Sequence, residues 1–320
     1  MERLPSQTAF VFPGQGSQAV GMGRALAQAY PEAREVFAQA DDLLGYALSR
    51  LMWEGPAEEL NDTRHTQPAL VVHSIAALRV LQKHVPDLQP AFMAGHSLGE
   101  LSALIAAGSI PFAQGLRLVK ARGEAMHAAS GGQGGMAAIL GLDIETLEAI
   151  CQQASTDDAR VEIANDNCPG QVVLSGHKKA LEQAMALAQA RGARRVVPLA
   201  VSVAAHSYLM AAAQAAFNQA IEATPIQAPQ VPVIGNIHAR PLRTADDVRA
   251  DLRDQLTHRV RWTESVRYLL AQGVTTFIEV GTGNVLSGLI KRIDRKTTRL
   301  TCGTPEDCPQ VSARYRSNEA

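Results

Sequence analysis

The chain has 320 residues, 46% of them hydrophobic and 19% charged, with a formal net charge of −1. These values fit a globular protein with room for one large domain or a large domain carrying an insert, and the charge argues against a general nucleic-acid binder. No apolar run approaches the roughly 18 residues of a membrane span, Met1-Glu2-Arg3-Leu4-Pro5-Ser6 lacks a signal-peptide core, and Cys151, Cys168, Cys302 and Cys308 lack metal-binding spacing, so free thiols in a cytoplasmic protein are expected.

Residues 8–12 read as the first strand, followed by a glycine-rich turn and a helix through Ala40. The turn Gly14-Gln15-Gly16-Ser17-Gln18-Ala19 matches the dinucleotide pattern G-x-G-x-x-A, which also needs a second strand ending in an acidic residue about 20 positions on. Pro31-Glu32-Ala33-Arg34-Glu35-Val36-Phe37 reads as helix instead, so the fingerprint fails. A better use of the loop is close backbone approach, with a peptide N–H serving as oxyanion donor.

Residues 66–81 read as a buried helix and 91–94 as a short strand entering Gly95-His96-Ser97-Leu98-Gly99, with helix 100–107 behind it. A G-x-S-x-G sequence between strand and helix has the context of a nucleophile elbow: the serine is exposed on a strained turn, and the glycines let strand and helix pass closely. The Leu98 N–H then points where an oxyanion would form.

Residues 111–129 form an amphipathic helix in which Arg117, Lys120 and Glu124 share one face. Arg122 falls instead on the apolar side with Leu118, Val119 and Met126. A guanidinium turned inward needs an anion. Position leaves two partners open, an internal carboxylate such as Glu100 or a substrate carboxylate held by the fork.

Gly131, Gly132, Gly134 and Gly135 make a joint, after which the order is strand 136–140, helix 144–153, strand 161–164, strand 171–175, helix 178–191 and strand 194–200. This β-α-β-β-α-β series is the ferredoxin-like pattern, placed as an inserted subdomain over 131–203. Residues 1–130 and 204–295 form the two parts of a large α/β subdomain, the second with helix 208–223, strand 231–235, helices 246–255 and 263–271, strand 275–280 and helix 284–293. Strands alternating with helices imply a parallel sheet covered on both faces. The segment 296–320 has few apolar residues and is expected to be a loosely ordered tail.

Nine histidines are available to serve the serine. His96 adjoins it, so the turn directs that ring elsewhere, into packing. His127 and His177 fall on helices, His65, His84, His238 and His258 on surface loops or helix ends, and His73 in an apolar helical run. His206 ends Val201-Ser202-Val203-Ala204-Ala205 just before a helix. A loop-borne imidazole suits a general base, although histidines at such junctions are often structural. No acid is evident as a third member, so a backbone carbonyl is a candidate to orient the ring.

Together these segments resemble the malonyl-CoA:acyl carrier protein transacylases. The resemblance rests on Phe12-Pro13-Gly14-Gln15-Gly16-Ser17-Gln18, Thr66-Gln67-Pro68-Ala69, Gly95-His96-Ser97-Leu98-Gly99-Glu100, Arg122-Gly123 and Asn167-Cys168-Pro169-Gly170-Gln171-Val172-Val173. It continues through Val201-Ser202-Val203-Ala204-Ala205-His206, Gln255-Leu256, Arg261-Trp262 and Glu279-Val280-Gly281-Thr282-Gly283, and covers nearly the whole chain to about Ile293. It implies an α/β-hydrolase-like core with a ferredoxin-like insert and the site in the cleft between them. It further implies Ser97 as the acylated nucleophile, His206 as its base, Gln15 and Leu98 as oxyanion donors, Arg122 as holder of the malonyl carboxylate and the Gln255 carbonyl as support for the imidazole. Malonyl-CoA and an acyl carrier protein with its phosphopantetheine arm are the implied partners, with no metal or redox cofactor, no nucleic acid, no membrane and a monomeric enzyme. The family usually has proline where Thr282 stands, and the two alanines before His206 fall in a variable region lining the acyl pocket.

Carrier proteins are usually acidic, so Lys291-Arg292 with Arg295-Lys296, and Arg191 with Arg194-Arg195, are docking candidates, although sequence alone favours a solvated face for each. Two rival functions are an editing hydrolase using the same Ser-His dyad, and a non-catalytic docking subunit that kept the fold, which intact Ser97, His206 and Arg122 disfavour. Arg122 disfavours the first, because a hydrolase of neutral acyl chains has no use for a buried cation.

Overall fold

The structure, a computed structural model, describes residues 7–201 and 203–319. The first part of the chain runs β1 (Thr8–Phe12), α1 (Arg24–Ala29), α2 (Pro31–Leu44), α3 (Leu48–Glu54), α4 (Ala57–Leu60), α5 (Thr63–His84), β2 (Phe92–Gly95), α6 (Leu98–Ala106) and α7 (Phe112–Ala128). Next come β3 (Gly134–Leu140), α8 (Ile144–Ala154), β4 (Val161–Cys168), β5 (Gln171–His177), α9 (Lys178–Ala190) and β6 (Arg195–Pro198). After a 3-10 turn the chain continues with α10 (Ala211–Ala223), β7 (Val233–Ile234), β8 (Pro241–Leu242), α11 (Ala245–Asp254) and α12 (Trp262–Ala271), then β9 (Thr276–Val280), α13 (Val285–Ile293), β10 (Thr298–Cys302) and α14 (Asp307–Glu319).

Six strands form one sheet in the order β10-β9-β1-β2-β7-β8, parallel except for β8. In β1 the side chains alternate between its two faces: Ala9 and Val11 join the core that includes Trp262, Val266 and Leu289, whereas Phe10 and Phe12 join the larger core beneath α2, α5 and α7. A strand buried on both sides reads as continuously apolar, as Thr8–Phe12 does. The four remaining strands make an antiparallel sheet ordered β4-β5-β3-β6 with α8 and α9 on it, the ferredoxin-like order, around a core of its own.

Three sequence expectations change. The helix expected through Ala40 is two, because Tyr30 is extended (φ −127°) ahead of Pro31, and proline disfavours the helical conformation in the residue before it. The strand expected over 231–235 shrinks to Val233–Ile234 and turns back as the unexpected edge strand β8. The segment taken for a loose tail is ordered: β10 pairs in parallel with β9 over Thr298 to Cys302, and α14 buries Cys308 and Val311 against the large core. Leu300, Cys302, Cys308, Val311 and Tyr315 fall on the inward side, so low overall hydrophobicity concealed the packing. The helix over 31–44 stands where a dinucleotide fold needs its second strand.

Candidate active site

Ser97 stands at the carboxyl end of β2 and caps α6, with φ 52° and ψ −107°. Such a conformation is strained for a side-chain residue and persists only where its surroundings impose it. Three glycines impose it here. A Cβ at Gly95 would overlap the Gly99 carbonyl, one at Gly99 would overlap the Phe12 carbonyl, and one at Gly14 would overlap the His96 carbonyl. The elbow and the loop after β1, which carries Gln15, are therefore in backbone contact. Asn236, just beyond β7, clamps the turn: its Oδ1 accepts from the Ser97 amide at 2.7 Å and its Nδ2 donates to the Gly95 carbonyl at 2.7 Å.

His206 comes from the other direction, on a residue with φ 58° that leads into the 3-10 turn. Ser97 Oγ and His206 Nε2 are 2.7 Å apart. His206 Nδ1 faces two backbone carbonyls, Gln255 at 2.9 Å and His258 at 3.0 Å. Two acceptors at Nδ1 assign the proton there and leave Nε2 bare to accept from the serine hydroxyl. Burial, with the nearby Arg122 cation and His96 adding to it, lowers the His206 pKa to about 3 against the partial support of the two carbonyls. The ring is neutral at physiological pH, the form a general base requires.

Arg122 lies on the apolar stripe of α7 with Leu118, Val119 and Met126, 1% exposed. Its neighbour Gly123 lets α7 press on the start of α5, where a Cβ would stand 3.0 Å from the Thr63 carbonyl. That close approach brings Arg122 to Gln67: Nη1 donates to Gln67 Oε1 at 2.7 Å, and Nη2 to Gln255 Oε1 at 3.0 Å and Ser97 Oγ at 3.2 Å. Its Nε is buried without a partner. Among the described residues its hydrogen-bond acceptors are neutral, and Glu100, the carboxylate weighed as a salt-bridge partner, supports its charge without bonding to it. Burial lowers its pKa to about 10, which still leaves it cationic.

Leu98 opens α6, so its amide belongs to the first turn, whose N–H groups lack intrahelical partners. Gln15 is exposed, and its Oε1 accepts from Thr63 Oγ1 at 3.0 Å; Thr63 Oγ1 in turn accepts from Gln67 Nε2 at 2.8 Å. One hydrogen-bonded line thus joins Arg122, Gln67, Thr63 and Gln15. His96 turns away from Ser97, as expected, to Asn167 Oδ1 at 2.7 Å and the Trp262 ring. Gln67, Asn236, Asn167 and the His258 carbonyl were not foreseen. Gln67 has the one available sequence signal, a polar side chain with an inward position in a largely apolar helix.

Members of the two basic clusters reach the same end of the small sheet. Arg292 on α13 donates to Gln171 Oε1. Gln171 pairs with Leu140, which pairs on its other side with Arg195, and Arg194 packs on Gly141. The turn between β4 and β5 connects this surface to Asn167 and so to His96 beside the serine.

Residues 9–299 match the family model described as acyl transferase domain. The chain is 45% identical over 302 residues to malonyl CoA-acyl carrier protein transacylase of Bacillus subtilis, covering 94% of this chain and 95% of that protein. It is 48% identical over 303 residues to the protein of the same name from Escherichia coli K12, covering 94% and 97%. Among solved structures, malonyl CoA-acyl carrier protein transacylase from Coxiella burnetii superposes with a TM-score of 0.94 at 40% identity, covering 97% of this chain and 98% of that one. A malonyl-transacylase solved in complex with a type II PKS acyl-carrier protein gives 0.94 at 42% identity, covering 97% and 100%.

Proposed function

The chain belongs to the acyl transferase domain family, and from that membership and the site's geometry we propose that it transfers the malonyl group of malonyl-CoA to the phosphopantetheine thiol of an acyl carrier protein through an ester on Ser97. The observation that carries the choice of acyl group is Arg122, a buried cation with neutral acceptors, its Nη2 3.2 Å from Ser97 Oγ. In a malonyl ester the free carboxylate is separated from Oγ only by a carbonyl carbon and a methylene. A guanidinium at that distance meets such a carboxylate and nothing on an acetyl group.

In the first half-reaction the Ser97 hydroxyl gives its proton to His206 Nε2 while Oγ bonds to the thioester carbon. The oxyanion forms against the amides of Leu98 and Gln15, a donor pair in which each typically contributes ~3–4 kcal/mol to the transition state. Collapse breaks the carbon–sulfur bond, and the imidazolium returns the proton to the departing coenzyme A sulfur. In the second half-reaction the carrier thiol gives its proton to His206, its sulfur attacks the ester, and Ser97 Oγ leaves and is reprotonated. Malonate bound at Arg122 cancels the positive charge that helps depress the His206 pKa, so the acyl group that fits is also the one that makes the base stronger. The reaction as drawn calls on no metal or redox cofactor.

The joined basic surface of Arg292, Arg194 and Arg195 lies beside the β4–β5 turn, on the way to the serine, and suits an acidic carrier protein. We place the enzyme in the cytoplasm as a monomer; among the described residues no helix is long and apolar enough to cross a membrane. Incubation with malonyl-CoA and a holo carrier protein tests the transfer. Malonyl-carrier should accumulate as the main product, and predominant free malonate would favour the hydrolase instead.

A further inference from the structure

Behind the elbow two carboxyl groups are buried together, Glu100 in the first turn of α6 and Asp251 on α11, at 0% and 3% exposure. They lie within hydrogen-bonding reach of each other. Gly235 allows the contact, since a Cβ there would overlap Asp251 Oδ1. Glu100 Oε2 accepts from the Asn236 amide at 3.1 Å and from Gln255 Nε2 at 2.9 Å. Among the described residues no N–H or O–H outside the pair reaches Glu100 Oε1 or either Asp251 oxygen with hydrogen-bond geometry, although the amides of Ile237 and Asn236 favour the Asp251 charge. A proton on Glu100 Oε1, given to Asp251, supplies the bond those oxygens lack. Burial and the neighbouring negative charge both push the Glu100 pKa well up, and burial raises that of Asp251. The other charged and titratable groups that face the pair are Arg122 from α7 and the imidazole of His238 from the segment after β7.

The pair holds the working face of the site. Asn236 clamps the Ser97 amide and the Gly95 carbonyl. Gln255 Nε2 donates to the Ser97 carbonyl at 3.2 Å as well as to Glu100, its Oε1 accepts from Arg122, and its own carbonyl accepts the hydrogen bond from His206 Nδ1–H. An acceptor at Glu100 Oε2 obliges Gln255 to turn its NH2 inward, which leaves its Oε1 for the guanidinium. We propose that Glu100 and Asp251 are positioning residues for acyl transfer, a carboxyl pair sharing one proton that orients Asn236 and Gln255 and through them Ser97, Arg122 and His206. With one proton the pair carries a single negative charge opposite Arg122; loss of that proton puts a second charge into a closed site and breaks the arrangement. Acylation therefore falls on the alkaline side as the shared proton leaves. This inference rests on the transferase reading of the same site.

The test is the rate of malonyl adduct formation from malonyl-CoA across pH for the wild type, Glu100→Gln and Glu100→Ala, with acetyl-CoA in parallel. Glutamine keeps an acceptor for Asn236 and Gln255 and a permanent donor toward Asp251. Glu100→Gln should acylate near the wild-type rate at neutral pH and lose the part of the alkaline fall that precedes the discharge of Arg122 at about pH 10, a difference that acetyl-CoA, which does not use Arg122, shows without that overlap. Glu100→Ala removes both roles and should slow acylation about a hundredfold, the size of effect that loss of positioning produces, with KM little changed and the malonyl-over-acetyl preference reduced. An alkaline fall that persists unchanged in Glu100→Gln, or a Glu100→Ala protein as fast as wild type, overturns the proposal. Should the alanine variant not fold, the glutamine profile decides alone. A wild type that forms no adduct overturns the transferase reading instead.

Discussion

Arg122 and His206 are set against each other in the free enzyme. Arg122 is the largest contributor after burial to the depressed His206 pKa, so the two residues can be tested with one variant. Arg122→Ala should reduce the malonyl-over-acetyl preference by roughly 10- to 150-fold, the worth of one charge-assisted fork. It should also raise the His206 pKa from about 3 toward its ordinary 6.5, moving the acid limb of acetyl transfer to higher pH. In the wild type the unfolded chain binds a proton between those two values that folded His206 does not. Stability from this group is therefore whole above pH 6.5 and lost as pH falls toward 3. An unchanged acyl preference and acid limb in Arg122→Ala would make the arginine structural. Its inward position was readable because a cation interrupts an apolar helical stripe, and Ser97 because two glycines flank it in five contiguous residues. Gln67, Asn236 and the carboxyl pair were not, because their significance lies in partners 55 to 155 positions away. The histidine-orienting group at 255 is a backbone carbonyl, which every residue has, and only the family resemblance indicated it.

At the scale of elements, α13 brings Arg292 to Gln171 of the small sheet, whose β6 carries Arg195, so residues from two clusters separate in sequence share that sheet. Reversing Arg195 and Arg292 to glutamate should raise KM for the carrier protein and leave adduct formation from malonyl-CoA intact, with the difference shrinking at high salt. Equal effects on both half-reactions would place the carrier elsewhere. Strands with strong alternation or continuous apolar runs, such as β1, β5 and β9, were read closely from sequence, as were the long helices α5 and α7. The short hairpin of β7 and β8 was not, because strands of two residues carry no period to detect. The strand β10 was overlooked for a related reason: Thr298, Arg299 and Thr301 alternate with few apolar residues, and only pairing beside β9 makes the segment a strand.

Across the whole molecule the groups proposed to carry the reaction come from distant parts of the chain and meet because of sheet order. With β1 and β2 adjacent at the centre, the loop carrying Gln15 and the turn carrying Ser97 leave neighbouring strand ends. The return of the chain through the antiparallel subdomain delivers His206, and α11 and the residues after it deliver Asp251, Gln255 and the His258 carbonyl. The division into a large α/β part and a βαββαβ insert follows from element order, whereas the meeting of Arg122 and His206 at the Ser97 hydroxyl depends on tertiary contacts that periodicity does not encode. The claim on which all of this turns is that Ser97 carries the acyl group. Mass spectrometry of the protein mixed with malonyl-CoA, followed by peptide mapping, tests it directly. A malonyl adduct on the peptide holding Ser97, absent from Ser97→Ala, is the predicted result; an adduct on another residue, or one that survives in Ser97→Ala, would contradict it.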